Sequence, residues 1–187
     1  MHNHELFPKI CQLRSRIAKQ SHNARLGLES VYQHFMTTPV RIPKKQYYLQ
    51  IAQEVATRAT CMSAHFGSLI VKDDQIISTG YNGAPRMTKD CYEIGFCLRR
   101  KLQIPSGTQY EMCRSVHAEQ NAIIQASLHG IPIQGSTIYI TNQPCIICAK
   151  MLINAGIVSV VILDGYPDEM AMDFLKQAKI KIKTVKK

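Results

Sequence analysis

Two short motifs, each at the head of a predicted helix, constrain this chain more than any other feature. One is His117-Ala118-Glu119 and the other is Pro144-Cys145-Ile146-Ile147-Cys148. At a helix start, Cys145 and Cys148 stand one turn apart and project to the same side. The partial positive charge of a helix N-terminus favours thiolate over thiol, and a thiolate is what a metal needs. Two thiolates and one imidazole fill three places of a zinc tetrahedron and leave the fourth for water. That open place separates a catalytic zinc site from a structural one.

Zinc lowers the pKa of its bound water to about 7, so that hydroxide is available to attack at neutral pH. Glu119 follows His117 by one intervening residue. A carboxylate there can take protons from water and carry them to a ring nitrogen and to a departing amine. His-x-Glu followed by Pro-Cys-x-x-Cys is the signature of zinc-dependent deaminases. Either half alone is weak, since Cys-x-x-Cys also serves redox and structural roles. Together, each before a helix and with a strand between them, they are specific. A closed zinc staple would need a fourth protein ligand, and Glu119 would have to serve.

Periodicity places the motifs on a scaffold. Residues 47–59 have helical spacing, with Leu49, Ile51, Ala52 and Val55 on one side. Residues 68–71 and 75–79, joined by Lys72-Asp73-Asp74, spell a β-hairpin. Residues 84–115 bear cysteines without periodicity, and a stretch that long needs a function or a staple. Residues 117–128 are helical and closed by Gly130, and residues 136–141 form a strand. Residues 144–155 form a helix with proline at its start and Gly156 past its end. A buried strand over 157–163, a helix over 168–178 and an edge strand over 180–185 follow. Strands alternating with helices imply an α/β fold, with a partly parallel sheet and helices on both faces.

The net charge of +10 is concentrated at the ends. Residues 1–45 carry Lys9, Arg14, Arg16, Lys19, Arg25, Arg41, Lys44 and Lys45 against Glu5 and Glu29. They read as a basic extension with helical segments over 5–20 and 25–36, ended by Pro39 and Pro43, ahead of the domain at 46–187. A basic balance suits an anionic partner, although basic ends are commonly just solvated. No apolar run approaches the roughly 20 residues of a membrane span, and Met1-His2-Asn3-His4-Glu5 begins no secretory signal. The expectation is a cytoplasmic protein. Seven cysteines, an odd count, argue against a disulfide framework and for metal binding.

At these residues the chain resembles the deoxycytidylate (dCMP) deaminase family, within the cytidine deaminase-like superfamily. The resemblance runs from about Gln46 to about Lys183 and rests on five segments. They are Arg58-Ala59-Thr60-Cys61, residues 67–73, residues 76–85 with Gly80-Tyr81-Asn82-Gly83, residues 117–123, and residues 144–150. Gly80-Tyr81-Asn82-Gly83 separates it from transfer-RNA adenosine deaminases, which share the zinc motifs. The resemblance implies a three-layer α-β-α fold around a mixed five-stranded sheet, and conversion of dCMP to dUMP and ammonia in the supply of thymidylate. It implies a homo-oligomer, commonly a hexamer, often activated by dCTP and inhibited by dTTP. It places Asn82 against the deoxyribose, Ala118 among the substrate contacts, and Tyr166 near the nucleotide phosphate. The plain readings are a turn with positive φ at Asn82-Gly83 and a packing aromatic at Tyr166. Many members have a phosphate-binding arginine where this chain has Ser63. That leaves Ser63, His65, Arg86 or a neighbouring subunit to hold the phosphate.

With Cys145 and Cys148 assigned and Cys11 in the extension, four cysteines remain: Cys61, Cys91, Cys97 and Cys113. Four thiolates complete a closed tetrahedron, so a second, structural zinc is expected there. Family members often carry one, and Cys61 and Cys91 match positions that supply ligands in phage members. The plain alternative is small buried hydrophobes. Two other functions compete. A deaminase acting on RNA is favoured by the basic arms and opposed by Gly80-Tyr81-Asn82-Gly83. A non-catalytic zinc-stapled nucleotide sensor is opposed by Glu119, which nothing but catalysis requires.

Overall fold

The computed structural model describes residues 41–163, 165 and 168–185. The two helical segments expected before residue 40, and Tyr166, lie outside the described residues. The first helix, α1 (Lys44–Ala56), begins directly after Pro43 and takes in Lys44 and Lys45, which the sequence reading had placed in the extension. Its end comes earlier than expected, where the Thr57 hydroxyl donates to Glu54 O at 2.7 Å. A side chain thus satisfies one of the carbonyls that a helix end leaves open.

Strands β1 (Gly67–Lys72) and β2 (Gln75–Tyr81) form the predicted hairpin. Its two-residue turn has positive φ at both Asp73 (48°) and Asp74 (64°), the primed geometry that matches strand twist. Tyr48 on α1 pins this turn, its hydroxyl lying 2.9 Å from Asp74 O and 2.8 Å from Asp74 Oδ1. The aperiodic stretch contains only short turns of helix, α2 (Cys91–Ile94), α3 (Leu98–Lys101) and a 3-10 turn over Tyr110–Met112. Asp90 caps α2 by accepting from Tyr92 N and Glu93 N. Then come α4 (Ala118–Leu128), β3 (Thr137–Ile140), α5 (Ile146–Asn154), β4 (Ser159–Ile162), α6 (Glu169–Gln177) and β5 (Lys181–Thr184). Among the described residues, no helix is long and apolar enough to cross a membrane.

The five strands are ordered β2-β1-β3-β4-β5. β1 is antiparallel to both β2 and β3, whereas β3, β4 and β5 are mutually parallel neighbours. Strand alternation sends Leu69, Val71, Tyr139 and Val161 to one face, against Tyr48, Leu49 and Ala52 of α1. Ile70, Ile138, Ile140, Val160 and Ile162 face the other way, onto Ala122, Ala149, Leu152, Ala171 and Leu175. The result is three layers: α1, the mixed sheet, and α4, α5 and α6.

Topology puts three helix starts together. Because β2 and β3 are both antiparallel to β1, they run in the same direction, and β4 runs with β3. The chain therefore leaves β2, β3 and β4 at one end of the sheet; α5 and α6 start there after β3 and β4, and the bridge between Gly83 and Val116 brings the chain back to that end to start α4. Open α/β sheets bind ligands at the carboxyl ends of their strands.

Candidate metal centre and active site

α4 is held against the hairpin by small and polar residues of the strands. Buried Ser68 donates to Ala118 O at 2.9 Å, and buried Ser78 donates to Ala122 O at 2.7 Å. Between these two anchors lies Gly80, where a Cβ would stand 2.2 Å from Ala118 O. The first turn of α4 is thus fixed directly over β2. Its N-cap residue is His117, whose backbone N–H donates to Gln120 Oε1 at 2.8 Å. α5 begins after Cys145, its N-cap residue, and Gln120 Nε2 reaches Met151 Sδ on α5 at 3.6 Å.

These two helix starts bring three ligand atoms together. His117 Nδ1 lies 3.5 Å from Cys145 Sγ and 3.4 Å from Cys148 Sγ, and all three atoms are within 4.8 Å of one another. At tetrahedral angles and ordinary zinc bond lengths, a nitrogen and a sulfur ligand stand about 3.6 Å apart. The residues therefore fit zinc. The Cys145 thiol is pushed down to about 4 by its hydrogen bond with Cys148, with His117 adding to the effect against the opposing cost of burial. The same contact pushes Cys148 up. His117 is pushed up by its hydrogen bond with Cys145. Glu119 is only 8% exposed, and burial pushes its carboxyl up from the ordinary range.

A cavity of about 250 Å³ adjoins this centre, with His117, Gln120, Tyr110, Arg114, Ser115 and Ile147 among its lining residues. Tyr110 packs edge-on against the His117 imidazole, with ring centroids 5.6 Å apart. Nothing in the periodicity of residues 84–115 marked Tyr110 as part of the site.

The other predicted residues are placed as follows. Asn82 is buried, and its side chain holds the preceding loop: Oδ1 accepts from Phe66 N at 2.7 Å and Nδ2 donates to Ala64 O at 2.8 Å. The positive-φ turn expected at Asn82-Gly83 is not formed, since neither residue has positive φ. Gly83 instead permits close approach. It pairs with Val116 in an isolated bridge, and a Cβ there would stand 2.8 Å from Thr60 Oγ1. Ala118 is buried beside the metal ligand. Arg86 is engaged with Gln125, and His65 with Tyr92. Ser63 is exposed and lies among thiols, its N–H 3.4 Å from Cys61 Sγ and its hydroxyl 3.7 Å from Cys97 Sγ. Cys91 is buried, and its thiol is pushed up by burial and then by Cys61, Cys97 and Cys113. Among the described residues, only His117, Cys145 and Cys148 draw three ligand atoms to within 4.8 Å.

Residues 42–164 match the cytidine and deoxycytidylate deaminase zinc-binding region. The chain belongs to this family. It is 35% identical over 146 residues to ComE operon protein 2 of Bacillus subtilis (strain 168), covering 78% of this chain and 72% of that protein. It is 35% identical over 129 residues to the deoxycytidylate deaminase of Mycobacterium phage D29, covering 66% of this chain and 94% of the phage protein. The fold is also that of the dCMP deaminase from cyanophage S-TIM5 in complex with dCMP and dUMP. The TM-score is 0.63 at 23% identity, over 78% of this chain and 99% of that one. Family membership accounts for the paired motifs and the mixed sheet. Gly80 was noted from sequence only as part of Gly80-Tyr81-Asn82-Gly83, and Ser68 and Ser78 were not given a role in the site. A glycine inside a strand is a signal of close backbone approach, and it could have been read that way.

Proposed function

We propose that the chain hydrolyses dCMP to dUMP and ammonia at the centre formed by His117, Cys145 and Cys148. The observation that carries the reading is the convergence of those ligand atoms beside buried Glu119, in a member of the deaminase family. Zinc, when bound, supplies a water-derived nucleophile at neutral pH. Glu119 takes one proton from the water, holds it at a carboxyl oxygen and delivers it to the pyrimidine ring nitrogen, then takes the second proton from the new C4 hydroxyl and delivers it to the leaving amine as the C4=O bond forms. Burial keeps these protons from exchanging with bulk solvent. By resemblance to the family, Asn82 and Ala118 are assigned to the nucleoside, and Tyr166 and Ser63 to the phosphate.

Ammonia release from dCMP, deoxycytidine and transfer RNA tests the substrate. Release from transfer RNA and not from dCMP overturns the proposal. Equal kcat/KM for dCMP and deoxycytidine means that no group holds the phosphate.

A second, structural zinc on Cys61, Cys91, Cys97 and Cys113 belongs to the same proposal. Its support is Ser63, which touches both Cys61 and Cys97, and the burial of Cys91; no three of these four sulfurs lie within 4.8 Å of one another. Structural zinc contributes directly to folding. Metal analysis should find two zinc ions per chain, and Cys91→Ser should lose one of them and melt earlier. One zinc per fully loaded chain overturns this part and leaves the first centre intact. Thiols held in this way fit a reducing, cytoplasmic compartment. A homo-oligomer responsive to dCTP and dTTP completes the proposal, checked by light scattering and by rates with each nucleotide added.

A further inference from the structure

One carboxylate outside the ligand set is tied to the metal helix. Asp168 precedes α6 and caps it, Oδ1 accepting from Ala171 N at 3.0 Å. Its other oxygen, Oδ2, leaves its own helix and accepts from Ile146 N at 3.0 Å. Ile146 is the first residue of α5 and directly follows Cys145. The first N–H groups of a helix have no partner within it, so Asp168 satisfies a group that α5 cannot. An independent contact points to the same buttress. A Cβ on Gly165, in the loop before Asp168, would stand 2.1 Å from Asn142 Oδ1 and 3.0 Å from Gln143 N. Gly165 therefore lies tightly against the segment that leads into Pro144 and Cys145.

We propose that Asp168 is a positioning residue for the metal centre. Its single carboxylate straps the start of α5 to the start of α6, and so holds Cys145 and Cys148 at the distance from His117 Nδ1 that zinc requires. The inference rests on His117, Cys145 and Cys148 being the zinc ligands. The role is geometric. A carboxylate beside two thiolates opposes their ionisation, so by charge alone its removal would favour metal binding. Hydrogen-bonded groups behind the ligands have the opposite effect when removed, and their loss typically costs about 10–100-fold in metal affinity.

Asp168→Asn separates the two effects. Asparagine is a good N-cap and keeps α6 started, but it has one carbonyl oxygen for two amides and carries no charge. The assay is the rate of zinc release from the loaded protein to a chromogenic chelator, with the thiolate-to-cobalt absorption of the cobalt-substituted protein as a reporter of geometry. Asp168→Asn and Asp168→Ala should release zinc at least about tenfold faster than the parent and shift the cobalt band. Leu175→Val trims the core of the same helix at a buried position away from the strap. It should lower the melting temperature and leave zinc release unchanged. Release within about twofold of the parent in both Asp168 variants overturns the inference, as does equal acceleration in Leu175→Val. Zinc release needs no substrate. A chain that holds zinc but deaminates no cytosine nucleotide sinks the proposed function alone, while normal release from an active Asp168→Ala sinks only the strap.

Discussion

Gly80→Ala tests the placement of the catalytic helix most directly. A Cβ on Gly80 would stand 2.2 Å from Ala118 O, 2.4 Å from Ala122 N and 3.1 Å from Ala122 Cα. All three are backbone atoms of α4, so no side chain can swing aside. Carbon and oxygen settle at about 3.5 Å, so α4 must withdraw by roughly 1 Å. Overpacking of this kind costs about 1–3 kcal/mol. For a chain of this size that lowers the melting temperature by roughly 3–10 °C. The effect on rate should be larger, because His117, Ala118 and Glu119 all ride on the turn that moves. A misplacement of about 1 Å in a reacting constellation costs about 10²-fold.

The assay is kcat/KM for dCMP on zinc-loaded protein below its melting temperature. Gly130→Ala is the control. It lies just beyond the far end of α4, where φ is +63° and nothing lies within 4 Å of an added Cβ. Alanine there costs about 1 kcal/mol of backbone strain without pushing the helix. It should keep the parental rate. If Gly80→Ala retains activity within about threefold of the parent, the close approach does not set the position of Glu119 and the argument from distance fails.

Glu119→Gln should keep fold and zinc and lose at least about 10²–10⁴-fold in turnover, checked by ammonia release and metal content on one preparation. Ser78→Ala should cost about 1 kcal/mol in denaturant unfolding, because its buried hydroxyl bonds Ala122 O; an unchanged midpoint would show that the anchor is idle. Tyr48 gives an alkaline prediction. Burial, and then its hydrogen bond to Asp74, push the phenol up from 10.0 to about 12. The unfolded chain sheds this proton first, so the contribution is complete below pH 10 and is lost as pH rises through about 12. Tyr48→Phe should flatten the fall of melting temperature across that window; the slope that remains includes Tyr139, which burial also pushes up.

What was legible in the sequence followed from local rules. Pro144 and Gly156 bracket α5, and the hairpin is visible because Ile70 and Ile77 flank a short charged turn. Asp73 and Asp74 could be read as a turn, but not that both adopt positive φ, which aspartate tolerates less readily than glycine. Asn82-Gly83 was misjudged for a similar reason. The pair is common in positive-φ turns, but here Gly83 is demanded by the proximity of Thr60 and Val116, a tertiary fact. The stretch 84–115 has no periodicity because its short helical turns do not lie on a continuous core face. Tyr110, which packs on His117 from within it, had no pattern to announce it.

Asp168 shows where local reading stops. The sequence reading began this helix at residue 168 without giving Asp168 a role, although an aspartate ahead of Glu169 and an apolar run is a start signal. Its second bond depends on where α5 and α6 begin in space, and sheet direction decides that. Had β4 run antiparallel to β3, α6 would begin at the opposite edge, and no side chain as short as aspartate could reach Ile146. The same direction rule brings the starts of α4 and α5 together and turns two separate motifs into one metal centre. It also directs three helix N-termini, each with partial positive charge, toward the edge that holds two thiolates and is proposed to receive an anionic nucleotide. The Asp168 variants probe one consequence of this arrangement. If the starts of α5 and α6 keep their spacing without that carboxylate, the sheet and core packing alone set the site, and the strap adds nothing to it.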